Sequence, residues 1–136
     1  MTDKHTVILG LGTNLGERLA NISTAVSLIG ERVGEVLKCS SPFFSKPWGF
    51  ESPNDFVNVV LACSTTLSPL KLLKVTQGIE KYMGRSLKSD GGYHDRIIDI
   101  DILLYDDLHV DYPNLKIPHP LMKQRDFVMV PLQEIL

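Results

Sequence analysis

Asp99 and Asp101 stand two residues apart in the run Ile-Ile-Asp-Ile-Asp-Ile-Leu-Leu-Tyr that fills positions 97–105. Alternate side chains of an extended strand leave opposite faces, so the two carboxylates emerge side by side, roughly 7 Å apart at the Cβ level. The other face then carries Ile98, Ile100, Ile102 and Leu104, the composition of a core strand. Like charges held this close repel unless a cation lies between them. Hard oxygen donors favour Mg²⁺, which is typically held by one or two carboxylates together with substrate phosphates. The competing reading is a strand whose second face is simply solvated.

Cations flank this pair in the sequence. Residues 84–96 read Gly-Arg-Ser-Leu-Lys-Ser-Asp-Gly-Gly-Tyr-His-Asp-Arg and end three positions before Asp99, with Arg85, Lys88 and Arg96 as fixed charges and Gly91-Gly92 as a candidate hinge. Such a basic segment beside a carboxylate pair suits polyphosphate chemistry, where cations neutralise phosphoryl oxygens. An ordinary solvated loop is the alternative. A second cluster, Pro118-His119-Pro120-Leu121-Met122-Lys123-Gln124-Arg125-Asp126-Phe127, adds a histidine and two more cations. Upstream, Gln77 and Glu80 are three apart on a predicted helix and project together, as surface residues or as ligand contacts. Ser45-Lys46-Pro47-Trp48-Gly49-Phe50 sets the only Trp among turn residues, where it either anchors the loop or clamps a flat heterocycle. His5, His94 and His109 lack spaced partners and read as structural or exposed.

These residues need a scaffold. At 136 residues, 43% hydrophobic and 22% charged, the chain is expected to be one domain with a real core. A net charge of −2 argues against nucleic-acid or anionic-membrane binding. No apolar run approaches a membrane span, and the first residues lead into a strand without a signal-like segment, so a cytoplasmic protein is expected. Cys39 and Cys63 lack metal spacing and read as buried free thiols.

Hydrophobic periodicity predicts a strand over 6–12, a helix over about 17–29 punctuated by Gly30 and Gly34, and a strand over about 35–45. A strand over 56–66 follows a Pro- and Gly-containing loop. Ser68 as N-cap and Pro69 at the first helical position open a second helix, with Leu72, Val75, Ile79 and Met83 as its core stripe and Gly84 as its stop. The acidic strand comes next, and residues 106–136 add a short hairpin and a terminal segment. The order βαββαβ is that of the ferredoxin-like α+β fold, an antiparallel sheet with helices on one face. Gly10-Leu11-Gly12-Thr13-Asn14-Leu15-Gly16 is one residue too long for a dinucleotide loop, and strands two and three have no crossover helix between them, so these glycines read as turn formers. No GxxxxGK[ST] motif occurs.

With these motifs in view, the chain resembles the 6-hydroxymethyl-7,8-dihydropterin pyrophosphokinase family of folate biosynthesis. The resemblance runs from Val7 onward and rests on Leu-Gly-Thr-Asn-Leu-Gly at 11–16, Asp55-Phe56-Val57-Asn58, Gln77-x-x-Glu80, Gly84-Arg85, Arg96-x-x-Asp99-x-Asp101, and Pro118-His119 with Arg125-x-Phe127. It implies transfer of the β,γ-diphosphate of ATP to the pterin hydroxymethyl group with release of AMP. It further implies Asp99 and Asp101 as ligands of two Mg²⁺ ions, with Arg85, Arg96, His119 and Arg125 on phosphates and Gln77, Glu80 and Ile102 near the nucleotide. Arg85, Arg96, Asp99 and Asp101 would then carry catalysis. On the pterin side it implies Asn58 as a hydrogen-bond partner of the ring, Phe56 and Phe127 stacked on it, Ser45, Pro47 and Trp48 as a closing loop, and Tyr93 as a loop aromatic. Leu87, where many members carry a second loop Arg, and Lys46, in place of a common Pro, depart from the pattern. A monomer acting on small molecules is expected, without nucleic acid, membrane or covalent intermediate. The rivals are a ferredoxin-like RNA-binding module, which the acidic strand opposes, and a regulatory domain that binds pterin or nucleotide without turnover.

Overall fold

The aliphatic run near the start of the chain forms β1 (His5–Thr13), the centre of the molecule. It pairs antiparallel with β4 (Phe56–Thr65) on one side and with β5 (Asp99–Tyr105) on the other, and β2 (Gly34–Cys39) lies outside β4. The order β2-β4-β1-β5, with every pair antiparallel, is the ferredoxin-like sheet expected from the element order. The computed structural model describes residues 3–50, 52–84 and 97–136.

Helices α1 (Arg18–Arg32) and α2 (Pro69–Tyr82) cover one face. Their buried residues, Ile22, Ala25, Leu28 and Ile29 from α1 and Leu72 and Ile79 from α2, join Val7, Leu9, Leu11, Val59, Leu61, Ile100 and Ile102 in one apolar cluster. The expected α2 stripe holds, since Val75 and Met83 pack against that cluster. Gly30 does not end α1: the helix runs on to Arg32, and Val33 caps it by donating its N–H to the Ile29 carbonyl. Gly34 opens β2 where a Cβ would fall 1.8 Å from the Ser64 carbonyl oxygen, so close backbone approach demands glycine there.

The single strand predicted over 35–45 is two strands. β3 (Phe43–Ser45) pairs with β4 after a break at Ser40, Ser41 and Pro42. Cys39 faces Leu61 and Phe43 faces Asn58, so β2 and β3 carry one more residue than the partner strand across the gap. Pro42 has no N–H for the ladder. The Ser40 hydroxyl accepts the Val60 N–H at 2.9 Å instead, and the Ser41 N–H and hydroxyl both go to the Glu134 carboxylate. Cys63 is buried as expected, whereas Cys39 is exposed because β2 is an edge strand.

The sheet is also covered on its second face, by the segment expected only as a terminal extension. After the hairpin β6 (Val110–Tyr112) and β7 (Leu115–Ile117) and a 3₁₀ turn at Met122–Gln124, α3 (Asp126–Ile135) packs there. Val128, Leu132 and Ile135 form a cluster with Ile8, Val60, Ala62, Leu103 and Met122. Burying each of the larger side chains in this cluster contributes about 1.5–3 kcal/mol. Among the described residues no helix is long and apolar enough to cross a membrane.

Candidate active site

The acidic strand behaves as its alternation predicts up to Ile102 and then departs from it. Ile98, Ile100 and Ile102 are buried in the cluster beneath α1 and α2. The register with β1 shifts between Ile8, opposite Leu104, and Leu9, opposite Ile102, so Leu103 is an extra residue. Leu103 and Leu104 therefore both turn to the α3 side, and Tyr105 returns to the other core. Asp99 and Asp101 lie on the α3 face, where α3 stops short of covering the sheet.

A pocket of about 60 Å³ opens at that uncovered corner. Its floor is sheet: Gly10 and Gly12 of β1, flanked in register by Asn58 on β4 and by Asp99 and Asp101 on β5. Its walls are Phe56, the loop after β3 with Ser45, Lys46, Trp48 and Phe50, and the start of α3 with Arg125, Phe127 and Val128. The glycines expected to form a turn are thus strand residues at the bottom of the site. Glycine repeated at i and i+2 within an aliphatic run is the signal of close backbone approach that could have found them.

Asn58 and Arg125 are positioned by their neighbours. Asn58 is 4% exposed, and its amide nitrogen donates to the Phe43 carbonyl at 3.0 Å and to the Ser45 hydroxyl at 2.8 Å. That orientation turns its Oδ1 toward Gly12 and the pocket. Arg125 caps the N-terminus of α3 and is nearly buried. Its guanidinium lies 3.8 Å from the Asp101 carboxylate, 4.5 Å from the centre of the Trp48 ring and 5.5 Å from that of Phe127. These are cation–π distances, and they order the Trp48 loop against α3. Phe50 meets Phe56 edge to face at 6.2 Å.

His119 lies beside this pocket. Its backbone N–H donates to the Leu103 carbonyl at 3.0 Å, and its ring Nδ1 accepts the Leu121 N–H at 3.2 Å, which puts the proton of the neutral ring on Nε2. Burial, and then the nearby Arg125 charge, push its pKa below the ordinary value against a weaker opposite pull from Asp99. At neutral pH His119 is a neutral donor.

Of the residues that the resemblance assigns to the site, Ser45, Trp48, Phe56, Asn58, Asp99, Asp101, Arg125 and Phe127 meet in this one pocket. Pro47 belongs to the same loop but does not line it. Gln77 is exposed on α2, Glu80 is buried with its carboxylate accepting the Ile100 N–H at 2.7 Å, and Ile102 is buried in the core. Arg85, Tyr93 and Arg96, together with Leu87 and His94, lie outside the described residues. Among the described residues no cluster of three metal-ligating side chains exists. Two carboxylates on one pocket wall nevertheless suit Mg²⁺, because that ion takes few protein ligands and completes its shell with water and phosphate oxygens.

Residues 8–136 match the model of the 7,8-dihydro-6-hydroxymethylpterin-pyrophosphokinase (HPPK) family. The chain is 49% identical over 131 residues to a 2-amino-4-hydroxy-6-hydroxymethyldihydropteridine pyrophosphokinase of Porphyromonas gingivalis, covering 95% of this chain and 89% of that one. It is 44% identical over 130 residues to the Aquifex aeolicus protein of the same name, covering 96% and 79%. Among solved structures, an HPPK-DHPS in complex with substrates superposes with a TM-score of 0.82 at 15% identity, and a Plasmodium falciparum HPPK-DHPS with a TM-score of 0.77 at 16% identity. These cover 98% and 97% of this chain but 40% of each of those longer chains, and at that identity they speak for the fold alone. With the fold, the pocket and the sequence relatives in agreement, the chain belongs to the 7,8-dihydro-6-hydroxymethylpterin-pyrophosphokinase family.

Proposed function

We propose that this protein transfers the β,γ-diphosphate of ATP to the hydroxymethyl group of 6-hydroxymethyl-7,8-dihydropterin and releases AMP, in folate biosynthesis. The observation that carries the reading is the meeting, in one pocket, of an aromatic slot, an oriented buried amide and a carboxylate pair beside an arginine. The names of the relatives supply the substrate.

The chemistry needs alignment, charge neutralisation and exclusion of water rather than a nucleophilic side chain, since the attacking group is the substrate's own primary alcohol. Phe56 and Phe127 present ring faces to a flat heterocycle. Asn58 Oδ1, fixed by the two bonds its nitrogen donates, accepts from a ring N–H or amino group. The Trp48 loop closes over the acceptor and keeps water out. Asp99 and Asp101 would hold two Mg²⁺ ions, which supply charge neutralisation across the triphosphate. Arg125, with Arg85, Arg96 and the neutral His119, would donate to phosphate oxygens, and Gln77, Glu80 and Ile102 would border the nucleotide. Ser45 and Pro47, with Tyr93 by family resemblance, would complete the pterin side. One domain, acting as a cytoplasmic monomer on small molecules, suffices for this reaction.

Phosphorus NMR of the pterin product tests the reading. Two coupled phosphorus signals on the hydroxymethyl oxygen are expected, and a single uncoupled phosphate would overturn it. A pterin-binding domain without turnover would give substrate-induced fluorescence changes and no phosphorylated pterin at all.

A further inference from the structure

Strand β3 is three residues long, pairs with β4 alone and buries little, since Phe44 is 61% exposed and Phe43 only half-buried. It nevertheless carries the acceptor side of the site. The Phe43 carbonyl and the Ser45 hydroxyl accept the two bonds that fix the Asn58 amide, and the Trp48 loop begins where β3 ends. So short an edge strand is marginal by itself. What fixes its start lies outside the ladder.

Ser40, Ser41 and Pro42 stand opposite only Val59 and Val60, so the crossing from β2 to β3 holds one extra residue and the ladder is broken there. Ser40 is tied within the sheet, its N–H donating to the Val60 carbonyl at 2.9 Å and its hydroxyl accepting the Val60 N–H at 2.9 Å. Ser41 is exposed, where water would satisfy its donors equally well. Both go instead to one carboxylate: the N–H meets one Glu134 oxygen at 2.6 Å, and the hydroxyl bonds the other. Hydrogen bonds to an ionised acceptor are roughly twice as strong as neutral ones, and two from one residue fix a direction as well as a distance. Glu134 stands in the last turn of α3, nine residues and about 13 Å along the axis from Arg125. It is outside the pocket.

We infer that Glu134 is a positioning residue for the acceptor: by holding Ser41 it sets where β3 starts and, through Phe43 and Ser45, the direction in which Asn58 presents its Oδ1. It touches no substrate. The inference rests on the diphosphoryl-transfer reading and adds to it a residue of the far end of α3 that acts through β3.

The test compares Glu134→Ala, Glu134→Gln, Ser41→Ala and Lys38→Met with the wild type. AMP formation is followed against dihydropterin and against ATP, the dissociation constant of 6-hydroxymethyl-7,8-dihydropterin is read from the fluorescence of the single tryptophan, and each melting midpoint is recorded. Losing the tie lowers the fraction of molecules with Asn58 correctly aimed, and apparent affinity falls by that fraction, roughly threefold to tenfold at the usual net worth of a hydrogen bond. The pterin KM and dissociation constant should rise by that factor in Glu134→Ala, with the ATP KM and the kcat at saturating pterin near wild type. Glu134→Gln keeps an acceptor and should recover most of the loss. Ser41→Ala keeps the N–H bond and should show a smaller rise, roughly twofold. Lys38→Met is the control, because Lys38 holds the same end of α3 through the Ile135 carbonyl at 3.4 Å without touching Ser41, so its pterin KM should not move. A lowered midpoint with unchanged pterin affinity in Glu134→Ala would mark a merely structural tie and overturn the inference. An equal rise in Lys38→Met would trace the effect to α3 and overturn it too. Should Glu134→Ala not fold, Ser41→Ala and Glu134→Gln decide. A wild type that binds the pterin but makes no pterin-dependent AMP overturns the functional reading while the variants' affinities still decide the inference, and one that does not bind it overturns both.

Discussion

Asp101 is the residue on which most of the site's electrostatics converge. It shares a pocket wall with Asp99, its carboxylate lies 3.8 Å from the Arg125 guanidinium, and its side chain is about one-third exposed, which lets it interact with a bound cation as well as with the arginine. Asp101→Ala should lower kcat by roughly 10²–10³-fold, the usual cost of removing one preorganised electrostatic group. Its circular dichroism should stay native, because the side chain packs in no core, while its melting midpoint should fall somewhat, because the nearly buried Arg125 loses the carboxylate beside it. Near-normal turnover by a folded Asp101→Ala variant would remove the carboxylate pair from the mechanism. Far from the site, Asp106 offers a separate test at the same scale. Partial burial raises its pKa, but the Thr6 N–H at 2.8 Å and His5 at 2.7 Å outweigh that and hold it below the ordinary carboxylate value. A lowered folded-state pKa contributes stability above the unfolded pKa of about 3.9, and that stability is lost as pH falls through the folded value. Asp106→Asn should therefore reduce the midpoint at neutral pH and make its decline on acidification shallower, as thermal melts across the acid range would read.

The acidic strand owes its position to a helix on the opposite side of the sheet. Glu80 of α2 is 6% exposed and accepts the N–H of Ile100, the residue between the two aspartates, at 2.7 Å. Glu80→Ala would leave that N–H buried and unpaired, a loss of about 1–3 kcal/mol, and would free the strand segment that carries both carboxylates. Unfolding midpoints should fall and kcat should drop, while Glu80→Gln, which keeps an acceptor, should recover most of both. Equal damage from the two variants would show that the charge itself, rather than the hydrogen bond to β5, is what matters. The period-2 alternation made the face of Asp99 and Asp101 legible in the sequence, since burial of Ile98 and Ile100 forces it. The bulge at Leu103 was not legible, because it is set by pairing with β1 and leaves no local mark. Gly10 and Gly12 fall within the strand expected over 6–12, but their place on the floor of the site was not legible, because glycines near a strand end look alike whether they form a turn or line a pocket. The split of β2 from β3 depends on Pro42 and on Glu134, ninety-three residues from Ser41, and the second partner is invisible in a local window. Asn58 and Phe127 came from family resemblance: nothing in their own neighbourhoods distinguishes a ligand-binding Asn or Phe from a structural one.

At the scale of the whole molecule, the terminal helix joins the second core to the site. The buried side of α3 packs on β1, β4 and β5, while its first residues supply Arg125, Phe127 and Val128 to the pocket. Pro131 inside the helix hid this element from periodicity, since proline ordinarily stops one. Glu134 at its far end ties it to Ser41, and Lys38 donates to the Ile135 carbonyl at 3.4 Å, so the C-terminal end of the helix is fastened twice. Leu132→Ala, at a site 4% exposed, should cost about 2–5 kcal/mol of stability. Because α3 also positions Arg125, activity in that variant should fall at temperatures well below its global melt, which paired activity and denaturation curves would detect. The ferredoxin-like sheet, the pocket at its uncovered corner and the family membership all bear on one reaction. The most direct measurement is to incubate the protein with ATP, Mg²⁺ and 6-hydroxymethyl-7,8-dihydropterin and to separate the adenine nucleotides, with parallel samples lacking the pterin or the metal. AMP that forms only when both are present is the expected result; ADP in its place would mean transfer of a single phosphoryl group and would contradict the proposed reaction.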